Sequence, residues 1–422
     1  MKSTTAAIIL AFTASSSVSA VPVTSPGEDV DMAPKYSPIG NVQVDVRPYW
    51  LVEQMEDGPL KTELSECAAW TDSFSTSKWS IGHRGGGTLQ MPEHSLESNL
   101  AGARMGAGFL ECDVAFTKDR ELVCRHSHCD LHETTNIVTI PELNAKCQTP
   151  FVPSDGAKPA QAKCCTQDIT LAEFKTLCAK MEGSNPQATT PEEYIQGTPG
   201  WRTDLYSTCG TPMSLKEHIR MVEDHGLRHI PELKVPDLGM PWEGYTQEDF
   251  ASQMLWTYDQ AEVSPSSVYP QSFSHDDIMY WMKNHPNYAK NLVFLEEEFG
   301  DAFPDVMEGA TNDLVEYAKE NIKIIAPPMH WLVESQDGKM VPSKYARAAN
   351  NLNLNIIAWT AERSGFLAGS DRGGYYYQSV QNALHNEGDV FEMLNVLRDI
   401  GVIGVFSDWA GTTTFFDNCM NS

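Results

Sequence analysis

Short apolar runs alternate with amphipathic segments along most of the chain, and few folds tolerate such a pattern over this length. From Trp79 onward the runs have the length and composition of strands. The segments between them show helical spacing and helix caps, such as Ser95 before Leu96 and Ser214 before LKEHIRMVEDHG. Strands that alternate with helices indicate parallel βαβ units, and roughly eight or nine strands fit a (β/α)8 barrel better than an open doubly wound sheet. The runs are WSIGH, GFLECDVAF, ELVCRH, LRHIPELK, VYPQSF, NLVFLEE, IKIIAPP, LNIIAWT and VIGVFSD.

The N-terminal end is typical of a secreted protein. Lys2, an apolar run and small residues up to Ala20 predict a signal peptide over residues 1–20. Residues 21–48 are rich in Pro, Ser and acidic side chains and predict a linker or N-terminal arm, so we expect the folded domain at 49–422. No later apolar run approaches the ~18 residues of a membrane span. We therefore expect a secreted protein without a stable membrane anchor.

Cysteine content and net charge indicate what stabilises the protein and which partners it does not bind. All ten cysteines follow Ala20, and six lie between Cys124 and Cys178, which predicts disulfides of open connectivity and a Cys-rich insertion after the third strand, at about 131–211. The net charge of −27 argues against binding to nucleic acid or to anionic membranes. The sequence does not indicate an oligomeric state.

The strand GFLECDVAF carries two carboxylates. Glu111 and Asp113 share one face of the strand, and Cys112 points to the other. Buried carboxylates on one face repel each other unless a cation neutralises them, which predicts a site for one divalent cation, Mg²⁺ or Ca²⁺. The alternative is that Asp113 begins an exposed loop and Glu111 pairs with a Lys or Arg, and this stretch alone leaves both interpretations open.

Other strand ends supply further polar groups. Glu232 in RHIPELKVP adds a third carboxylate, and Lys234 shares its face and suits a phosphate. His83 and Arg84 follow the strand WSIGH, where barrel active sites gather. His126 follows the run ELVC, and two imidazoles near a metal provide a general acid and base.

Three further features allow more than one interpretation. The tract from Cys124 to Cys129 also has the composition of a zinc site, which disulfide formation would exclude. Trp359 lies near a late strand end, where it either packs in the core or forms a shelf for the substrate's alcohol. The run from Glu296 to Glu298 is interpreted as a solvated strand end.

Taken together, these motifs resemble the glycerophosphodiester phosphodiesterase family. The segment HRGGGTLQMPEHSLESNLAGARMGAGFLECDVAFTKDRELVCRHSH is similar to that family's signature region, and the likeness resumes at IPELK, PQSFSHDDI, IIAPPMHWL, IIAWT and GVIGVFSD. The resemblance implies a (β/α)8 barrel, a bound divalent cation and hydrolysis of a glycerophosphodiester to an alcohol and glycerol 3-phosphate.

The resemblance also implies a role for each matching residue. The metal ligands correspond to Glu111, Asp113 and Glu232, and the acid/base pair corresponds to His83 and His126. Arg84 and Lys234 match phosphate-contacting residues, and Glu93 matches the acid that supports the site. The family commonly has His-Asp where this chain has His126-Ser127, so His128 is an alternative, but His126 follows the apolar strand directly.

Two other functions are compatible with the same residues. The rivals are a secreted phospholipase-D-like or sphingomyelinase-D-like lipase on the same barrel, which predicts an apolar rim, and a non-catalytic binding barrel.

Strand parity directs Cys112 away from the metal, whereas Cys124 shares the inward parity of His126. We therefore predict that these two cysteines do not pair with each other.

Overall fold

The computed structural model of the protein describes residues 37–297 and 303–421, with the backbone alone for 303–307. The expected signal peptide, residues 1–20, and the first part of the expected arm lie outside the described residues. The described part of that arm already packs against the domain, since Val42 is buried.

Eight parallel strands form a closed barrel. The strands of the described residues are β1 (Ser77–Gly82), β2 (Ala107–Phe116), β3 (Leu122–Cys124), β4 (Thr149–Val152), β5 (Gln161–Lys163), β6 (Arg228–Leu233), β7 (Gln271–Ser272), β8 (Val293–Leu295), β9 (Ile324–Ala326), β10 (Val333–Gln336), β11 (Lys339–Pro342), β12 (Asn355–Ala361) and β13 (Gly404–Ser407). Around the barrel the order is β1, β13, β12, β9, β8, β7, β6 and β2, and β2 pairs with β1 to close it. The short strand β3 pairs antiparallel with β2 outside the ring, and β4–β5 and β10–β11 form two separate hairpins.

Helices follow most barrel strands and form the outer layer. The helices of the described residues are α1 (Arg47–Gln54), α2 (Pro59–Trp70), α3 (Leu96–Arg104), α4 (Leu131–Thr134), α5 (Pro141–Asn144), α6 (Leu171–Phe174), α7 (Pro191–Tyr194), α8 (Leu215–His225), α9 (Gln247–Gln260), α10 (His275–Asn284), α11 (Phe303–Lys319), α12 (Met329–Leu332), α13 (Lys344–Asn351), α14 (Asp389–Ile400) and α15 (Ala410–Met420). The predicted (β/α)8 fold is thus confirmed.

The caps that predicted helices are present. The Ser95 hydroxyl accepts the backbone N–H of Ser98 at the start of α3. Ser214 and Glu217 form a reciprocal capping box at α8, which ends at Gly226 in the left-handed conformation that glycine adopts without strain. These local signals fix where each helix starts, and therefore which residues lie in the loop at the preceding strand's carboxyl end.

The long excursion between β3 and α8 has its own small core, which includes Leu131, Phe174 and Tyr194. Three disulfides brace it: Cys129–Cys165, Cys147–Cys164 and Cys178–Cys209. A fourth, Cys67–Cys419, joins α2 to α15. The Cys-rich insertion therefore stays ordered although it contains little regular structure.

The prediction that Cys112 and Cys124 remain apart is wrong, because they form a disulfide. Cys112 does face outward, but Cys124 lies opposite Val114 in the β2–β3 pair, and residues directly opposite each other share a face. Strand β3 ends at Cys124, so strand parity does not extend to His126. Since Cys129 is also in a disulfide, neither cysteine of the tract offers the thiolate that a zinc site requires.

The barrel interior is apolar at its lower and middle levels, where Ile81, Ile230, Ile324 and Phe406 form one cluster with their neighbours. Polar side chains begin where the strands end. Ionisable groups are thus gathered at the carboxyl-terminal mouth of the barrel, above an apolar core.

Candidate active site

A cavity of about 500 Å³ opens at this mouth. Eight of the nine residues predicted for the site line it, and Glu93 lies just behind Arg84. The predicted lining residues are His83, Arg84, Glu111, Asp113, His126, Glu232, Lys234 and Trp359.

Three carboxylates form an acidic cluster on two neighbouring strands. Asp113 of β2 is in register with Glu232 of β6, and Glu111 lies two residues before Asp113 on the same face. One oxygen from each lies within 4.8 Å of the others, and all three side chains are buried. The alternative in which Asp113 starts an exposed loop does not apply, since Asp113 is 1 % exposed.

The cluster is electrostatically strained. Burial raises the pKa of Glu111, and the charges of Asp113 and Glu232 raise it further. Burial also raises the pKa of Glu232 to about 8, despite its contact with Lys234. Burial opposes ionisation of Asp113 too, but the contact with His94, at 2.9 Å, keeps its pKa well below the usual range. The Oδ1 atom of Asp113 is buried and has no hydrogen-bond partner, as expected of an atom that a cation would engage.

Arg84 is held among these acids by its backbone and its guanidinium. Its φ of 49° places it in the left-handed region, and its N–H donates to Glu111 Oε2 at 2.8 Å. The guanidinium Nη1 donates to Glu93 Oε2 at 2.8 Å, so Glu93 contacts Arg84 from outside the cavity. Arg84 Nε is buried without a hydrogen-bond partner and lies 3.8 Å from Asp113 Oδ2.

Lys234 lies one step beyond β6. Its ammonium is 2.6 Å from Glu232 Oε1 and 5.8 Å from the centre of the Phe273 ring. Lys234 therefore supplies a positive charge next to the acidic cluster, on the side toward β7.

The two predicted histidines reach the cavity from different directions. His83 follows β1, and its Nδ1 contacts Asp408 Oδ1 at 2.5 Å while its Nε2 lies 3.8 Å from Glu111 Oε2. Burial lowers the pKa of His83 to about 4, although Asp408 acts to raise it. Burial, with the charges of Arg84 and Lys234, lowers the pKa of His126. Both imidazoles are therefore neutral at pH 7 in the absence of a ligand.

His128, the alternative to His126, is a core residue. It packs edge-on against Phe116 and Phe250, and its Nε2 accepts the backbone N–H of Phe116 at 3.4 Å. The structure thus brings His126 and not His128 to the cavity.

A network of charged side chains that the motifs did not indicate surrounds Asp408. Its Oδ2 accepts from Arg202 at 2.5 Å and from Arg363 at 3.1 Å, and both arginines also bond to Glu182. Arg202 and Glu182 belong to the Cys-rich insertion. Asp408 could have been predicted from the sequence, since it directly follows the last barrel strand, where the site residues of such barrels lie. Arg202 and Glu182 could not have been predicted, because irregular loops have no periodic sequence pattern.

The interpretation of the acidic run as a solvated strand end is wrong for Glu296. Its side chain is 5 % exposed and accepts a hydrogen bond from the Tyr345 hydroxyl. Burial raises its pKa to about 8. Glu297 is exposed and lines the cavity, and Glu298 lies outside the described residues.

Comparisons with known proteins agree with this geometry. A sequence model of the "Glycerophosphoryl diester phosphodiesterase family" matches residues 83–412. An "Extracellular protein" of Arthroderma benhamiae is 42% identical over 249 residues, which are 57% of this chain and 100% of that protein. "Glycerophosphodiester phosphodiesterase GDPD6" of Arabidopsis thaliana is 23% identical over 381 residues, covering 86% of this chain and 92% of the relative.

A solved structure from Silicibacter pomeroyi, described as a glycerophosphoryl diester phosphodiesterase, has the same fold. It has a TM-score of 0.51 and 17% identity, and the alignment covers 82% of this chain and 95% of that one. The family match spans every predicted site residue and most of the barrel. The chain belongs to the glycerophosphoryl diester phosphodiesterase family and is a phosphodiesterase.

Proposed function

We propose that the protein hydrolyses glycerophosphodiesters to an alcohol and glycerol 3-phosphate, with one divalent cation and two histidines. The observation that carries this proposal is one cavity in which Glu111, Asp113 and Glu232 lie together with His83 and His126. The name of the Arabidopsis relative supports the same substrate class.

Glu111, Asp113 and Glu232 would hold the cation, because Mg²⁺ and Ca²⁺ prefer carboxylate oxygens. The buried, unpartnered Oδ1 of Asp113 and the raised pKa values of the other two carboxyls fit such a ligand. A bound cation would polarise a phosphoryl oxygen and offset the negative charge of the transition state.

Arg84 and Lys234 bind the phosphate from the protein side. Arg84 lines the cavity and its Nε has no hydrogen-bond partner, and Lys234 adds an ammonium beside Glu232. Fixed positive groups in a buried site stabilise the charge on the phosphoryl oxygens more strongly than water does.

His83 and His126 divide the proton transfers. One imidazole, in its neutral form, removes a proton from the attacking oxygen as the new P–O bond forms. The other takes up a proton from solvent when the phosphate anion binds, and it gives that proton to the leaving alcohol as the old P–O bond breaks. Attack by water gives the products directly, and attack by the neighbouring glycerol hydroxyl gives a cyclic phosphate that water then opens. Asp408 acts as a positioning residue, since it fixes the Nδ1 edge of His83 and leaves Nε2 on the side of Glu111. Either histidine fits either role.

A lipase is the second candidate, because one side of the cavity is apolar. Phe273, Leu295 and Phe406 line that side and suit an acyl chain as well as a small head group. The third candidate, a non-catalytic binding barrel, predicts missing site residues, and the described residues contain all nine.

One assay separates the three functions. Hydrolysis of glycerophosphocholine and of a lysophospholipid is measured with and without a chelator. We expect glycerophosphocholine to be hydrolysed faster, with activity lost on chelation and restored by Mg²⁺ or Ca²⁺. A faster reaction with the lysophospholipid would establish the lipase, and no hydrolysis of either substrate would leave the binding barrel.

We propose secretion as the location. Five disulfides stabilise the described part of the chain, as in proteins of oxidising compartments, and the Arthroderma relative is named extracellular. Among the described residues, none of the helices has the length and apolar character to span a bilayer.

A further inference from the structure

Four aromatic side chains form one side of the cavity, here termed the aromatic wall: Phe273, Trp359, Tyr375 and Tyr376. Phe273 follows β7, Trp359 belongs to β12, and the tyrosines lie in the loop after β12. The carboxylates, histidines and phosphate-binding residues come from β1, β2, β6 and the segment after β3. The wall therefore occupies a different arc of the barrel mouth from the groups that handle the phosphate.

The rings of the wall do not form a single stack. Phe273 is perpendicular to Trp359, with ring centres 6.0 Å apart, and Tyr376 meets Trp359 at 79° and the same separation. Tyr375 is inclined by only 27° to Trp359, at 6.3 Å, and by 85° to Tyr376. Several aromatic rings that line one cavity at different angles are also a feature of the aromatic cages that bind quaternary ammonium groups.

Much of the surface of this arc offers no hydrogen bond to a hydroxylated head group, and among the described residues its polar side-chain atoms are confined to Glu297, Thr360, the Trp359 indole and the two tyrosine hydroxyls. The indole N–H of Trp359 already donates to the carbonyl of Ala326, at 2.7 Å. Phe273, Leu295 and Phe406 have no hydrogen-bonding side chain. Hydroxyls brought against these side chains lose water without a replacement, which is unfavourable. A quaternary ammonium has no N–H to satisfy and is attracted to aromatic faces.

The charge and the position of the aromatic wall also favour a quaternary ammonium group. Glu297 adds a carboxylate to this arc of the cavity. Lys234, on the phosphate side, is 5.8 Å from the centre of the Phe273 ring, so the wall begins next to the phosphate-binding residues. A cationic group attached to the phosphate through a short alcohol can thus reach the wall.

We propose that the aromatic wall binds a quaternary ammonium head group, so that the enzyme prefers glycerophosphocholine to diesters with neutral head groups. This inference rests on the proposed hydrolysis of glycerophosphodiesters and names the alcohol of the substrate.

The test compares glycerophosphocholine with its neutral isostere, in which the head group is 3,3-dimethylbutanol. We expect kcat/KM of the wild type to favour glycerophosphocholine by roughly five- to thirty-fold. Trp359→Leu and Tyr375→Leu should bring this ratio toward one, whereas Tyr375→Phe, which keeps the ring, should preserve it. Trp256→Leu is the control, because Trp256 is exposed on α9. A wild-type ratio near one, or an unchanged ratio in both leucine variants, would overturn the proposal.

Binding separates this inference from the hydrolysis itself. Phosphocholine and 3,3-dimethylbutyl phosphate are titrated calorimetrically into the wild type and Tyr375→Leu. Selective binding of phosphocholine, weakened in the variant, supports the wall even if no diester is hydrolysed. Hydrolysis without head-group preference would retain the proposed function and reject the wall. A lysophospholipid turned over faster than glycerophosphocholine, with that advantage lost in Trp359→Leu, would assign the wall to an acyl chain and also reject it.

Discussion

At the scale of single residues, the two histidines of the cavity carry the first prediction. His83→Ala and His126→Ala should each lower kcat by about 10²–10⁴-fold if they act as general acid and base. His275→Ala is the control, because His275 lies on α10 and pairs with Glu320 away from the cavity. Steady-state kinetics on glycerophosphocholine provide the measurement. Near-normal turnover in both alanine variants would reject the assignment.

The buried Glu296 predicts a pH dependence of stability. Its pKa is about 8 in the folded protein because of burial, against about 4.3 in an unfolded chain. The folded state therefore binds more protons between these values, and the stability that Glu296 contributes falls as pH rises from about 4 to 8. Glu296→Gln should lose this decline, so the unfolding temperature of the variant should rise relative to the wild type between pH 5 and 8.

The comparison requires a carboxylate in water as its reference. Glu66→Gln changes an exposed side chain of α2 and should follow the wild type across the same pH range. Parallel curves for Glu296→Gln and the wild type would contradict the assignment of a neutral, buried Glu296.

At the scale of elements, the Cys-rich insertion reaches the candidate active site through Arg202. This side chain bonds to Asp408, which in turn contacts His83. Loss of a hydrogen bond to a buried charged group costs about 1.5–3 kcal/mol, so Arg202→Met should lower kcat roughly tenfold or more, with a smaller change in KM. Arg347→Met is the control, since Arg347 pairs with Glu334 at the surface. An unchanged kcat in Arg202→Met would show that Arg363 alone suffices to hold Asp408.

The secondary-structure elements also explain which parts of the site could be predicted from the sequence. Glu111, Asp113 and Glu232 could be placed together because alternation along a strand and the meeting of parallel strand ends are local rules. Cys124 was misplaced because β3 is an antiparallel edge strand, and its pairing partner is not encoded in its own pattern. The network around Asp408 was missed because it depends on how an irregular insertion docks on the barrel.

At the scale of the whole molecule, an excess of negative charge bears on metal binding. The chain has 57 acidic and 30 basic side chains, and three of the acids are forced together in the cavity. Without a cation, burial of these carboxyls opposes folding, because the raised pKa values of Glu111 and Glu232 mean that their ionisation is disfavoured in the folded state. A cation that binds only the folded state stabilises it by about 2.7 kcal/mol at a concentration of 100 Kd. Millimolar Mg²⁺ or Ca²⁺ should therefore raise the unfolding temperature, and the cation that binds more tightly should raise it more.

Removal of one acid should weaken the effect of a cation on the unfolding temperature. Glu232→Gln removes one of the three proposed ligands, so the rise caused by Mg²⁺ or Ca²⁺ should shrink or vanish. NaCl at equal ionic strength controls for screening of the overall charge. Equal cation-induced shifts in the wild type and Glu232→Gln, or no shift in either, would mean that the three carboxylates do not form a metal site.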